Sequence, residues 1–157
     1  MMLSTRGRYA VMAMVDLASM AGDKPVCLAD ISQRQEIPLA YLEQIFAKLR
    51  KQGLVKSVRG PGGGYKLQRL AADIWVSDII FAAEEQIKMT RCDNGSSGCM
   101  KPKTRCLTHD LWDGLGQQIY HYLRSISLED VCERRLNDHQ PASGSRIILP
   151  EFGVMEH

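Results

Sequence analysis

Apolar residues recur at helical spacing through the first third of the chain, and the recurrence breaks at glycine and proline. In residues 3–21, Val11, Val15 and Ala18 share one face and the opposite face is nearly as apolar. That pattern predicts a helix buried on more than one side. Ala21-Gly22-Asp23-Lys24-Pro25 predicts a turn. A short helix follows at about 28–35, with Leu28, Ile31 and Ser32 on one side. Ile37-Pro38 opens the next helix, because a proline at the first helical position gives up only an N–H that would have no partner there. That helix runs to Gln52. Leu39, Leu42, Phe46 and Leu49 point inward with Ile45, and Gly53 ends it as a left-handed cap. Ala40, Tyr41, Glu43, Gln44, Lys48 and Lys51 face outward.

Two short strands follow, Leu54–Val58 and Tyr65–Leu67, flanking Arg59-Gly-Pro-Gly-Gly-Gly64. Three helices and then a hairpin is the order of a winged helix-turn-helix. The glycine run is a weak match to a phosphate loop, since no Gly-Lys-Ser/Thr and no helix follows. A connector helix spans 74–86, with Ser77 as a candidate cap, and a cysteine-containing loop spans 88–106. A long helix covers about 107–126, with Leu111, Leu115, Ile119, Tyr122 and Ile126 along one stripe. Such a stripe can close over the domain's own core or form a seam between two subunits. Its position outside the winged domain favours the seam and a homodimer. Leu128–Arg135 is a short amphipathic segment, and Ile147-Ile-Leu149 is the one apolar run in a polar, Pro- and Gly-containing tail. The expected fold class is mainly α with a small β-hairpin wing. Its divisions are 1–70 for DNA binding, 71–87 as connector, 88–106 as loop, 107–135 for dimerisation and 136–157 as tail.

Charge sharpens this reading. The net charge is only +2, yet residues 1–70 hold eleven Lys/Arg against five Asp/Glu and carry +6, leaving −4 on the remainder. A basic front half suits a polyanion, most commonly nucleic acid. The N-terminus has some features of a secretory signal, but Asp16 ends the apolar run Tyr9–Val15 after seven residues. No stretch approaches the ~18 apolar residues of a membrane span. These features predict a cytoplasmic protein without membrane contact. Five cysteines, an odd number, then read as reduced thiols or metal ligands rather than a disulfide frame.

Cys92, Cys99, Cys106 and His109 lie within one short polar stretch of Gly, Ser, Asn, Pro and Lys, spaced Cys-x6-Cys-x6-Cys-x2-His. Those residues cannot build a core around the thiols, so packing does not account for the cysteines. Three thiols and an imidazole suit an iron–sulfur cluster or zinc, and a cysteine-oxidation switch is a third option. Zinc sites usually contain a Cys-x2-Cys knuckle, which is absent. Cys27 and Cys132 read as packing residues. His121 reads as a surface or interface residue, and His139 and His157 fall in the tail. An enzyme would need an acid, base or nucleophile in a cleft beside the metal. Only Asp93, Asp110 and Asp113 lie near the loop, and no nucleotide fingerprint is present, so a non-enzymatic role is expected.

From Met2 to about Arg134 the chain resembles the IscR-type iron–sulfur cluster regulators. Leu3-Ser-Thr-Arg-Gly-Arg-Tyr-Ala10 is similar to that family's first helix. Leu28-Ala-Asp-Ile-Ser32 with Tyr41-Leu-Glu-Gln44 resembles its helix-turn-helix, and Leu54–Tyr65 its wing. Cys106-Leu-Thr-His109 with Leu111-Trp112 resembles the segment after its cluster loop. The resemblance implies a homodimeric transcription regulator of iron–sulfur assembly genes, most often a repressor. It implies a [2Fe-2S] cluster on Cys92, Cys99, Cys106 and His109, supplied by cluster donor proteins. Each gap between the cysteines is one residue longer than the family's pattern, while the final Cys-x2-His spacing is kept. A thiolate-to-imidazole exchange makes a cluster less negative and easier to lose, which suits a sensor.

The same resemblance places the helix from 38 to 52 in the major groove. Gln44 suits adenine, Glu43 suits cytosine N4, and Ala40 and Tyr41 suit a thymine methyl or the backbone. Ala47 stands four residues after Glu43, so pairing along the helix does not explain that carboxylate. Arg59 and Gly60 are assigned to the wing and minor groove. Arg6, Arg8, Lys48, Lys51 and Lys56 are candidate phosphate contacts.

Overall fold

The computed structural model describes residues 4–20, 22, 24–84 and 107–136 of the chain. Expectations for 85–106 and 137–157, including the cysteine loop and the tail, lie outside the described residues. The elements run α1 (Thr5–Met20), α2 (Leu28–Gln35), α3 (Leu39–Lys51), β1 (Val55–Val58) and β2 (Gly64–Leu67). A 3-10 turn (Ala71–Asp73), α4 (Val76–Glu84), α5 (His109–Ser125) and α6 (Leu128–Cys132) follow.

Helix α1 is buried on more than one side, as its pattern predicts. Ala10, Ala13, Met14 and Leu17 are fully buried, and Val11, Val15 and Ala18 pack half-buried on the same core. It touches α2, α3, α4, α6 and β2. Alanines at two of its buried positions let neighbouring backbones come close. Its one buried charge is Asp16. Arg34 at the end of α2 donates to this carboxylate from Nε (3.0 Å) and from its terminal nitrogen (2.6 Å), and Gln35 donates from Nε2 (2.7 Å). Burial disfavours the charged carboxylate, but the hydrogen bonds from Arg34 and Gln35 and the Arg34 charge outweigh it. The pKa of Asp16 therefore lies below its ordinary value.

The turn from α2 to α3 uses Glu36 in the left-handed region (φ 53°), whose N–H returns to the Ser32 carbonyl, while Ser32 Oγ donates to the Ile37 carbonyl at 2.6 Å. Pro38 is the N-cap rather than the first helical residue, because its ψ of 130° is extended; its carbonyl accepts from Tyr41 and Leu42. Leu42, Ile45, Phe46 and Leu49 are fully buried. Leu39 departs from the expected inward stripe. It stands in the first turn of α3, at the edge of the helix packing, and is 41% exposed. The other end of α3 closes as expected: Gly53 (φ 71°) is left-handed, its N–H bonds to Arg50 O, and the Leu54 N–H bonds to Leu49 O.

The hairpin is antiparallel, pairing Val55 with Leu67, Lys56 with Lys66, Ser57 with Tyr65 and Val58 with Gly64. A third backbone joins it, as Val26 and Tyr65 exchange N–H···O bonds of 2.9 and 2.8 Å. This approach explains Gly64, where a Cβ would lie 2.3 Å from the Val26 carbonyl oxygen. The Tyr65 ring stands edge-on to Phe46 at 4.9 Å, so strand β2 is locked to the core side of α3.

Beyond the wing, Trp75 and Ser127 form a bridge, with Val76 N donating to Ile126 O and Leu128 N to Ile74 O. Helix α4 therefore starts at Val76, and Ser77 is not its cap. Ser77 lies inside the helix, buried, and its Oγ has no hydrogen-bond partner among the described residues. Val76, Ile80 and Ile126 make a second small core with Val11, Leu123 and Val131. Ser127 and Asp130 form a reciprocal capping box at the start of α6. That helix is shorter than the expected segment because Arg134 turns left-handed (φ 57°). Cys132 packs half-buried on α1, whereas Cys27 at the N-cap of α2 is exposed rather than packed.

Asp16→Asn should destabilise the fold by about 1–2 kcal/mol, because Arg34 can still reach water once its buried partner is neutral. A carboxylate whose folded pKa is depressed stabilises fully above its unfolded pKa and loses that contribution as pH falls through the folded value. Denaturant midpoints of the wild type should therefore fall below the ordinary carboxylate range, and the gap between wild type and Asp16→Asn should close there. An equal gap at neutral and acid pH would show that the ion pair is not its source.

Candidate nucleic-acid interface and metal centre

The outward side of α3 presents Ala40, Glu43, Gln44 and Lys51, all exposed. Glu43 makes no ion pair among the described residues, so no cation of the fold explains this carboxylate on a basic surface. Tyr41 is only partly outward. It packs half-buried at the core edge, with its ring edge-on to Tyr9 at 5.9 Å and the Arg6 guanidinium 5.9 Å from its centroid. The cation–π contact, about 0.5–1 kcal/mol at an exposed site, holds Arg6 beside the N-terminal half of α3. Arg8 is exposed two residues on along α1.

Arg59 and Gly60 are exposed at the hairpin tip, where a side chain can enter a groove without steric bulk behind it. Lys56 on β1 is exposed and faces Lys66 of β2 in register. Lys48 does not join the outward group. It flanks the helix, and its Nζ donates to the Ala83 carbonyl at 3.2 Å, toward α4.

Of the four candidate ligands, only His109 is among the described residues. It is the half-buried first residue of α5, preceded by an exposed turn at Leu107-Thr108. Cys92, Cys99 and Cys106 lie outside the described residues. The donor set itself, three thiols and an imidazole, fits a soft or borderline metal centre. The helix N-terminus at His109 also favours negative charge, whether thiolate or a thiolate-bound cluster. Helix α5 has no buried residue, and Leu111 (63% exposed), Trp112, Leu115 and Tyr122 lie open along it. Along the stripe Ile119 is half-buried, and the far end is covered, where Ile126 is 4% exposed within the second core. Among the described residues, no helix is long and apolar enough to cross a membrane.

The Rrf2 family model, described as an iron-dependent transcriptional regulator, matches residues 3–134. The HTH-type transcriptional regulator IscR of Photorhabdus laumondii is 50% identical over 155 residues, covering 93% of this chain and 93% of that protein. A putative HTH-type transcriptional regulator, ORF2, of Azotobacter vinelandii is 50% identical over 163 residues, covering 99% and 97%. Among solved structures, T. potens IscR aligns with a TM-score of 0.69 at 40% identity, covering 92% of this chain and 94% of that one. CymR, the global cysteine regulator of B. subtilis, aligns with a TM-score of 0.70 at 33% identity, covering 85% and 98%.

Proposed function

This chain belongs to the Rrf2 family of transcriptional regulators, and from that premise we propose that it reports iron–sulfur cluster status and controls promoters of cluster-assembly genes, chiefly by repression. It is a helix-turn-helix regulator with a winged fold, not an enzyme. The observation that carries the proposal is the donor set Cys92, Cys99, Cys106 and His109, three cysteines that precede α5 in sequence and the histidine that begins it, in a chain whose family is described as iron-dependent. These four residues would hold a [2Fe-2S] cluster delivered by donor proteins. When bound, such a cluster supplies a state, present or absent and oxidised or reduced, that the protein can report. His109 makes that state easier to lose than an all-cysteine site would, because a proton competes for the imidazole.

The DNA reading rests on the surface formed by α3, α1 and the wing. The N-terminal half of α3 enters the major groove with Ala40, Tyr41, Glu43 and Gln44, while Arg59 and Gly60 reach the minor groove. Arg6, Arg8, Lys51 and Lys56 neutralise phosphates, and Lys48 reaches them only by leaving the Ala83 carbonyl. The open stripe on α5 is the seam of a homodimer, which presents two reading helices to two half-sites.

Anaerobically purified protein should be coloured, with iron and acid-labile sulfide in equal amounts, and Cys92→Ala, Cys99→Ala or Cys106→Ala should each bleach it. Stoichiometric zinc without sulfide would transfer the four residues to a zinc regulator of the same fold. A colourless, metal-free protein with an oxidisable thiol pair would make it a thiol switch.

Arg59→Ala should weaken binding to every duplex and flatten the logarithmic salt slope by about one unit. Glu43→Ala should keep or raise total affinity while narrowing the difference between half-sites, by about 1–3 kcal/mol at the position it reads. Competition against single-base variants measures both. A uniform loss for Glu43→Ala would make this residue structural and move the reading face elsewhere.

Leu115→Glu should convert the dimer to monomer, because it places a charge in the middle of the α5 stripe. Light scattering reads the mass, and an intact dimer would locate the seam away from α5.

A further inference from the structure

A cleft of about 560 Å3 opens between the C-terminal end of α3 and helix α4. Among the described residues, Lys48, Lys51 and Arg69 line it against one carboxylate, Asp78. Its apolar lining is Leu54 and Ala82, which are buried, and Phe81, whose ring stands edge-on to Tyr120 of α5 at 5.6 Å. Part of this arrangement serves the fold. Lys48 and Lys51 lie in the last turn of α3, where the helix dipole favours cations, and Lys48 Nζ donates to the Ala83 carbonyl. The Arg69 guanidinium lies 3.9 Å from the place a Cβ would take at the Gly53 cap. The dipole accounts for cations at that helix end. It does not account for a concave space of ligand size with an aromatic wall, which lies within the ~300–1,000 Å3 range of small-molecule sites.

We propose that this cleft binds a small organic anion, a carboxylate or phosphate ester carrying an apolar ring. The anionic head sits between Lys51 and Arg69, which supply its counter-charge. The ring lies along Phe81 and Leu54. Asp78 limits the ligand to one anionic head, because a polyanion threaded through the cleft would run past that carboxylate. A long phosphate backbone is therefore a poorer occupant than a compact molecule. The proposal does not depend on which metal the cysteines bind.

Calorimetric titration of the full-length protein, purified with its bound cofactor in phosphate-free buffer, tests this with four probes. Phenyl phosphate or phenylacetate should saturate at one per chain and bind ~10-fold or more tightly than inorganic phosphate or benzyl alcohol. The better of the two organic anions identifies the preferred head. Arg69→Gln should weaken that binding ~10-fold, and Asp78→Asn should tighten it several-fold. Phe81→Ala should abolish the preference over inorganic phosphate. Arg69 is exposed and Asp78 half-buried at the surface, so these two variants keep the fold, and thermal melts confirm it. The proposal is overturned by the absence of saturable binding of either organic anion up to about 10 mM. It is overturned equally by binding that all three variants leave unchanged. It also fails if inorganic phosphate binds as well as phenyl phosphate and random-sequence duplex displaces it, since the cleft would then be a DNA-backbone contact.

Discussion

Burial of α1 on nearly every side is the constraint from which the rest of the structure follows. A helix with Ala10, Ala13, Met14 and Leu17 fully buried has to be wrapped, and here α2, α3, β2, α4 and α6 wrap it. Each large apolar side chain so covered contributes about 1.5–3 kcal/mol against exposure to water. The wrapping also dictates where the one acidic residue of α1 can go. Asp16 is tolerated inside because Arg34 and Gln35 reach it from α2. That contact ties the first helix of the helix-turn-helix to the core helix at a charged, geometrically demanding point.

The wing and the reading helix are held as one piece by aromatic and backbone contacts. Tyr65 is the joint. Its ring meets Phe46 of α3 and its backbone exchanges two hydrogen bonds with Val26, just before α2. Gly64 is small because the Val26 carbonyl occupies the space a side chain would need. The exposed tip with Arg59 and Gly60 is thus tied through Tyr65 to the helix that carries Glu43 and Gln44.

Helix α5, which carries the proposed metal ligand His109, is built on a different principle. Helix α5 buries none of its residues, and one end is pinned by Ile126 in the second small core while the other begins at His109. So open an apolar stripe marks an interaction surface, and a second copy would supply an identical one. The proposed metal centre therefore sits at the free end of the proposed subunit seam. The last turn of α4 is held to α3 by Lys48.

Much of this was legible along the chain. The stripe Leu42, Ile45, Phe46, Leu49 fixes α3 because a 3.6-residue period has only one way to bury it, and Gly53 marks its end because a left-handed cap suits glycine. The candidate ligands Cys92, Cys99, Cys106 and His109 are an expectation read from the chain alone, and of these only His109 is among the described residues. Tertiary structure decided what periodicity cannot carry. Leu39 belongs to the same stripe but falls past the edge of the packing. Ser77 looked like a cap, yet the bridge between Trp75 and Ser127, 52 positions apart in sequence, sets where α4 begins. Asp16 read only as a break in an apolar run, because its partners lie 18 and 19 residues away. Lys48 and Lys51 are equivalent in a helical pattern, but one turns to the Ala83 carbonyl because α4 packs beside it. Local spacing determines which face of an element is apolar; which neighbour covers that face is set by contacts between distant segments, and those exist only once the chain has folded.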